Sequence, residues 1–161
     1  MELNDETLRF IREHCKDDVR NLALQAPKYP GVDMPVALTQ IAGRQAAAEK
    51  IPSWHEEEGI LYPRHLSLEQ CSSEATARYK ASIIPESSSG TLTDLTGGFG
   101  IDCAFLSPKF HHVTYVERQE ALCEIASHNF PLLALNHIRI ENKDAIRHLQ
   151  EMSSVDWIFI D

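Results

Sequence analysis

A glycine-rich turn flanked by two carboxylates is the first group of residues in this sequence that could do chemistry. It lies in the stretch TLTDLTGGFGIDCAFLS, where Asp94 ends a short β-prone run and Asp102 falls in the first turn of a predicted helix. Its glycines are Gly97, Gly98 and Gly100. Glycines allow the backbone to approach a ligand closely, and in open α/β sheets ligands bind at such strand-to-helix turns. The stretch therefore predicts a ligand-binding loop.

The carboxylates distinguish between two cofactor classes for this loop. The dinucleotide pattern G-x-G-x-x-G would take Gly98 and Gly100 as its first two glycines and place Cys103 third. Two carboxylates beside a pyrophosphate would repel it, whereas beside an ammonium group they would attract it. S-adenosylmethionine carries an ammonium group and a sulfonium charge and has no phosphate. The chemistry therefore favours S-adenosylmethionine over NAD.

Further acidic residues follow the next predicted strands. Glu117 ends the second strand, where a carboxylate can accept hydrogen bonds from both ribose hydroxyls. Asp144 follows the third strand and could accept from the adenine amino group, but Asp is also a common helix cap, so both interpretations stay open. Their neighbours Arg118 and Ala145 are included among the cofactor-binding candidates. Asp161 ends the predicted fourth strand.

Alternating strands and helices must position these residues. From residue 91 onward, β-prone runs alternate with helical stretches, which predicts a parallel, doubly wound sheet. The expected strand order is 3-2-1-4. The earlier part of the chain carries helical signals only. The predicted fold is therefore α/β, with a helical N-terminal domain (1–85) followed by an incomplete Rossmann-like sheet (86–161). The polar stretch ESSSG, Glu86 to Gly90, is the predicted hinge.

The last helix before the hinge has two interpretations. Ser72 or Ser73 caps it, and it either simply packs or lies at the cofactor or acceptor site. In the second case Arg78 and Lys80 would bind the substrate.

The motifs resemble those of a known enzyme class. DLTGGFGID, VERQ, NKDA and WIFID resemble motifs of class I S-adenosylmethionine-dependent methyltransferases. QIAGRQAAAEKIPSW and GILYPRHLSLEQCSSEATARYKA resemble a bacterial methyltransferase family with a helical N-terminal extension and a THUMP-like C-terminal domain. The resemblance covers essentially the whole chain. One departure is Thr96, which stands where many members of the class have their first glycine.

The resemblance implies a function and a set of site residues. The function is methyl transfer from S-adenosylmethionine, with RNA as the substrate class because THUMP domains are generally RNA-binding modules. Asp161 is the catalytic candidate. The cofactor-binding candidates are Asp94, Thr96, Gly97, Gly98, Gly100, Asp102, Glu117, Arg118, Asp144 and Ala145.

A class I methyltransferase sheet has seven strands, and this sequence supplies about four. We therefore expect an N-terminal fragment with the cofactor half-site, inactive by itself, that self-associates through the uncovered edge of strand four. The alternative function is a non-catalytic ligand-binding or assembly module.

Composition restricts the remaining possibilities. The formal net charge of -9 argues against nucleic-acid binding by this chain alone and favours a non-catalytic ligand-binding or assembly module. The four cysteines are far apart without a CxxC pair, which favours free thiols in the cytoplasm over a disulfide framework or a metal site. No signal peptide or membrane-spanning segment is expected.

Overall fold

The chain divides into a helical unit and a unit built on a sheet. The structure is a computed structural model that describes residues 3–85 and 90–161, so the predicted hinge lies outside the described residues except for Gly90. One unit extends to Glu69 and the other begins at Gln70. This division precedes the expected boundary at residue 85, because the helix Glu74–Ile83 packs on the helix Ile101–Leu106 of the sheet unit.

The first unit is helical. Asn4 and Asp33 cap two of its helices by accepting hydrogen bonds from Thr7 N and Val36 N. Its helices are α1 (Asp5–Glu13), α2 (Val19–Leu24), α3 (Met34–Lys50), α4 (Pro52–Glu56) and α5 (His65–Gln70, whose last residue opens the second unit), with a 3₁₀ turn at Ala26–Lys28. The core of the unit contains Phe10, Leu22, Met34, Ala37 and Ile41.

The second unit combines a parallel sheet with helices. Its helices are α6 (Glu74–Ile83), α7 (Ile101–Leu106), α8 (Glu120–Leu132) and α9 (Ala145–Glu151), with a 3₁₀ turn at Ser107–Lys109. Its strands are β1 (Thr91–Asp94), β2 (His112–Glu117), β3 (Ile138–Asn142) and β4 (Trp157–Phe159).

The strand order is β3-β2-β1-β4 and all neighbouring strands are parallel, which confirms the predicted sheet. The register pairs Asp94 with Tyr115 of β2 and with Phe159 of β4. Because parallel strands share one direction, the residues that follow β1, β2 and β4 meet at the same carboxyl edge. This geometry gathers the acidic candidates at one place.

The central strand β2 and the edge strand β4 differ in how far their side chains are buried. β2 is central, and Tyr115 and Val116 are fully buried. β4 lies at the edge of the described sheet, where Trp157 and Ile158 are 39% and 46% exposed. Within the described residues, none of the helices is both long and apolar enough to span a membrane.

Candidate functional site

The loop between β1 and α7 is held by strands on both sides. Leu95 N donates to Phe159 O of β4 at 3.0 Å, and Gly97 N donates to Val116 O of β2 at 2.9 Å. The glycine-rich turn is therefore fixed at the carboxyl edge of the sheet. Its position agrees with a ligand-binding loop of an open α/β sheet.

Gly97 is required by packing. A Cβ at this position would lie 2.4 Å from Tyr115 Cε2, which is closer than a real Cβ contact allows. Tyr115 also donates its hydroxyl hydrogen to Gly98 O at 2.5 Å. The sequence pattern does not single out this tyrosine, because the alternation of β2 shows only that the residue belongs to a strand.

The position that a side chain would occupy at Gly98 is open in the described structure. Gly98 has a φ of 54°, and a Cβ added to this residue would meet, among the described residues, only Thr96 O within 4 Å, at 3.6 Å. The Gly98 N–H donates to Glu117 Oε2 at 3.0 Å, and Gln119 N donates to Glu117 Oε1 at 2.8 Å. The structure thus joins the glycine turn to the end of β2 through the Glu117 carboxylate.

Asp94 is a buried carboxylate at the centre of this edge. Its Oδ1 accepts from Thr96 N at 2.9 Å and from Thr96 Oγ1 at 3.3 Å. Burial, the largest effect, raises the pKa of Asp94 to about 7; the Thr96 N–H opposes the rise, and the charges of Asp102 and Asp161 add to it. The carboxyl group can therefore gain a proton near neutral pH.

Lys80 lies among the acidic residues. Its Nζ is 3.1 Å from Asp102 Oδ2 and 2.5 Å from Asp161 Oδ2. Burial opposes a charged lysine, but the hydrogen bonds and charges of these two carboxylates outweigh it and raise the pKa of Lys80. The hydrogen bond from Lys80 is the main cause that lowers the pKa of Asp161.

Asp102 has one oxygen without a hydrogen bond. Oδ2 accepts from Ser72 Oγ at 2.9 Å as well as from Lys80, whereas Oδ1 is buried and has no hydrogen-bond partner among the described residues. A buried carboxylate oxygen in this state is costly unless a donor reaches it. It is the best evidence in the structure for a ligand with a donor group.

The two basic candidates lie in different surroundings. Arg78 donates to Glu74 on the same helix at 2.9 and 2.6 Å and stacks over the Phe105 ring at 4.7 Å. Its guanidinium group thus contacts α6 and α7, whereas the Lys80 ammonium lies at the carboxyl edge. Both side chains make contacts within the protein, and the binding of RNA by Arg78 and Lys80 stays a prediction.

The remaining cofactor-binding candidates follow β2 and β3. Asp144 caps α9 by accepting from Ile146 N at 3.0 Å and Arg147 N at 3.1 Å, as the helix-cap interpretation requires. Ala145 is the first residue of that helix and is half-buried, and Arg118 is exposed just beyond β2. An adenine contact by Asp144 stays a prediction.

The residues of this edge can hold a cation. Asp94, Asp102 and Asp161 provide three carboxyl groups against the one ammonium of Lys80. No group of three or more His, Cys, Asp and Glu side chains within residues 3–85 and 90–161 is arranged to hold a metal ion.

Comparisons with known proteins agree with the fold. No model of a protein family matches the sequence, and no curated protein matches it either. A crystal structure of a protein described as a "putative methyltransferase from Porphyromonas gingivalis W83" is 26% identical, with a TM-score of 0.75. The likeness covers 98% of this chain and 41% of that one, so this chain spans less than half the length of that protein.

Two further structures are less similar. An rRNA methylase from Streptococcus thermophilus is 20% identical with a TM-score of 0.37, over 44% of this chain and 41% of that one. Trm5b from Pyrococcus abyssi is 20% identical with a TM-score of 0.46, over 55% of this chain and 26% of that one. TM-scores below 0.5 do not bear on function. The α/β fold of this chain, with its four-stranded parallel sheet, matches that of the first, methyltransferase-like structure.

Proposed function

We propose that this chain supplies the cofactor half of a class I methyltransferase and binds S-adenosylmethionine at the carboxyl edge of its sheet. The observation that carries the proposal is the buried Asp102 Oδ1, which has no hydrogen-bond partner among the described residues and lies in an edge with an excess of carboxylates. An ammonium group would satisfy that oxygen and reduce the excess negative charge.

The other residues of the loop fit the same ligand. The open side of Gly98 allows the backbone to approach a ligand. Glu117 would accept from the ribose hydroxyls with the lone pairs that its bonds to Gly98 N and Gln119 N leave free. Asp144 would hold the adenine amino group.

When bound, S-adenosylmethionine supplies an activated methyl group for direct displacement at carbon. The protein then contributes alignment and charge placement. Asp94 and Asp102 would orient the amino-acid part. Asp161, held by Lys80 just beyond β4, would begin the acceptor side of the site.

RNA is the acceptor class that we propose, on the sequence resemblance to a family with a THUMP-like domain. The net charge of -9 indicates that this chain does not itself supply the main RNA-binding surface. The alternative function, a non-catalytic ligand-binding module, would use the same edge without an acceptor. An assay for methyl transfer to RNA by a larger protein that contains this chain would distinguish the methyltransferase from the non-catalytic module.

Isothermal titration calorimetry of the 161-residue chain tests the cofactor. S-adenosylmethionine and S-adenosylhomocysteine should bind, and NAD should not. Asp102→Asn should weaken both, because the amide carries no charge for the ammonium. Asp156→Asn is the matched control, since Asp156 lies before β4, at the opposite edge, where it accepts from Thr91 N. Tighter binding of NAD than of S-adenosylmethionine would refute the proposal.

A further inference from the structure

Lys80 uses all three donors of its ammonium group within the protein. Its Nζ donates to Ser72 Oγ at 3.0 Å, Asp102 Oδ2 at 3.1 Å and Asp161 Oδ2 at 2.5 Å. It also lies 5.3 Å from the centre of the Phe159 ring. A lysine has three donors and no acceptor, so a ligand phosphate or carboxylate could bind Lys80 only by displacing one of these partners. The side chain is only 23% exposed, which also disfavours a role as an RNA contact.

Ser72 completes the arrangement. Its hydroxyl accepts from Lys80 and donates to Asp102 Oδ2 at 2.9 Å. Asp102 Oδ2 therefore has two donors, and the orientation of the whole carboxylate is fixed. The fixed carboxylate keeps its other oxygen, Oδ1, buried and without a partner among the described residues.

We propose that Lys80 and Ser72 are positioning residues that hold Asp102 and Asp161 together so that Asp102 Oδ1 accepts the ammonium group of the ligand. The proposal rests on the proposed function for the identity of that ligand. Lys80 belongs to α6 and Ser72 lies just before the cap residue of that helix, Ser73, so a helix outside the sheet, before β1, would control the cofactor half of the site.

Electrostatics gives the physical reason for such a device. Two carboxylates that approach one point repel each other, and one of them tends to gain a proton. The Lys80 ammonium lies within 3.1 Å of Asp102 Oδ2 and 2.5 Å of Asp161 Oδ2, so its charge offsets that repulsion. The lowered pKa of Asp161 agrees with this role.

Carboxylate titration by ¹³C NMR tests the positioning without any ligand. The variant is Lys80→Met, which keeps the length of the side chain and removes its charge. We expect the pKa of Asp161 to rise toward its ordinary value in this variant. Lys109→Met, at the amino end of β2, is the control and should leave that pKa unchanged. An unchanged Asp161 titration in Lys80→Met would overturn the proposal.

Ligand binding gives the second arm. If Lys80 affected the site only through its charge, its removal would favour a ligand that carries a net positive charge, and S-adenosylmethionine would bind more tightly. If Lys80 positions the carboxylates, binding should weaken about tenfold or more despite the extra negative charge. Equal or tighter binding by Lys80→Met would show that the ammonium only competes with the ligand.

The two arms separate this proposal from the proposed function. If the wild-type chain bound neither S-adenosylmethionine nor S-adenosylhomocysteine, the proposed function would fail, while the Asp161 titration would still decide the role of Lys80. If Lys80→Met did not fold, Ser72→Ala would replace it, because that variant removes one hydroxyl group. Ser72→Ala should also raise the pKa of Asp161 and should weaken ligand binding severalfold. If either the pKa or the affinity stayed the same, that result would contradict the proposal.

Discussion

The hydroxyl of Thr96 accepts a hydrogen bond from the backbone N–H of Asp161, with 3.0 Å between the two atoms. The same hydroxyl donates to Asp94 Oδ1 at 3.3 Å. One side chain thus joins the turn after β1 to the residue beyond β4. Thr96 stands where the resembling enzyme class commonly has glycine, and this departure adds a contact that glycine could not make.

Thr96→Val should destabilise the sheet unit by about 1–2 kcal/mol, because it removes both hydrogen bonds and keeps a similar volume. Urea denaturation of the 161-residue chain measures the change. Thr96→Ser retains the hydroxyl and serves as the control. A valine variant as stable as the wild type would show that water replaces both bonds at no cost.

The protonation of Asp94 should make stability depend on pH. Its pKa is about 7 in the folded chain against an ordinary value of 3.8, so the folded chain keeps the proton to higher pH than the unfolded chain does. The stability contributed by neutral Asp94 is therefore fully present below pH about 4 and is lost as the pH rises toward 7. The loss is at most about 4 kcal/mol.

Asp94→Asn removes this titration. The free energy of unfolding of the variant, relative to the wild type, should increase between pH 4 and 7 and then level off. Urea denaturation at a series of pH values measures it. A difference between the two proteins that does not vary over this range would mean that Asp94 titrates normally.

Gly97→Ala and Gly98→Ala should have different consequences. Gly97→Ala forces a methyl group into the buried Tyr115 ring and should destabilise the unit by more than about 2 kcal/mol. Gly98→Ala meets no close atom in the part of the chain that the structure describes and should cost about 1–2 kcal/mol for its left-handed backbone. Gly98→Ala should nevertheless weaken S-adenosylmethionine binding, because the methyl group occupies the open side of the loop.

Thermal unfolding and calorimetry of the two variants provide the comparison. Equal destabilisation by both substitutions would contradict the packing role of Gly97. Undiminished binding by Gly98→Ala would remove the loop from the ligand site.

Glu117→Ala should weaken S-adenosylmethionine binding by about 2–4 kcal/mol, because two hydrogen bonds to a charged group are lost. Calorimetry measures the change, and Glu151→Ala is the control. Glu151 is also a carboxylate of this unit, but it pairs with Lys143 and Arg147 on and before α9. Equal affinity of wild type and Glu117→Ala would exclude Glu117 from the site.

We propose that copies of the chain associate through β4, as the sequence suggested. Within the described sheet, β1 is the single neighbour of β4, so the other edge of β4 is open. An open strand edge can pair with the same edge of a second copy in a two-fold antiparallel contact. Size-exclusion chromatography with light scattering should show dimers at high concentration. Ile158→Lys should favour the monomer, since a charge on an edge strand disfavours pairing. A wild-type monomer at high concentration would refute this contact.

The sequence by itself determined the parallel sheet and the edge at which the candidate residues meet. The alternation of strands and helices from residue 91 onward predicted that sheet, because strand periodicity and short strand-to-helix connections are local properties. The same reasoning placed Asp94, Glu117 and Asp161 at one edge, since consecutive parallel strands end there. The helix-cap interpretation of Asp144 was available from its residue type.

Only the tertiary structure decided how the side chains pair. Lys80 meets Asp161 across 81 positions of sequence, and no local pattern reports such a contact. The requirement for glycine at 97 depends on a tyrosine from the neighbouring strand, and the unpartnered oxygen of Asp102 depends on how Ser72 and Lys80 surround its carboxylate in the described chain. These features arise when distant segments are brought together by packing, so they are properties of the fold and are not written in any single stretch of the chain.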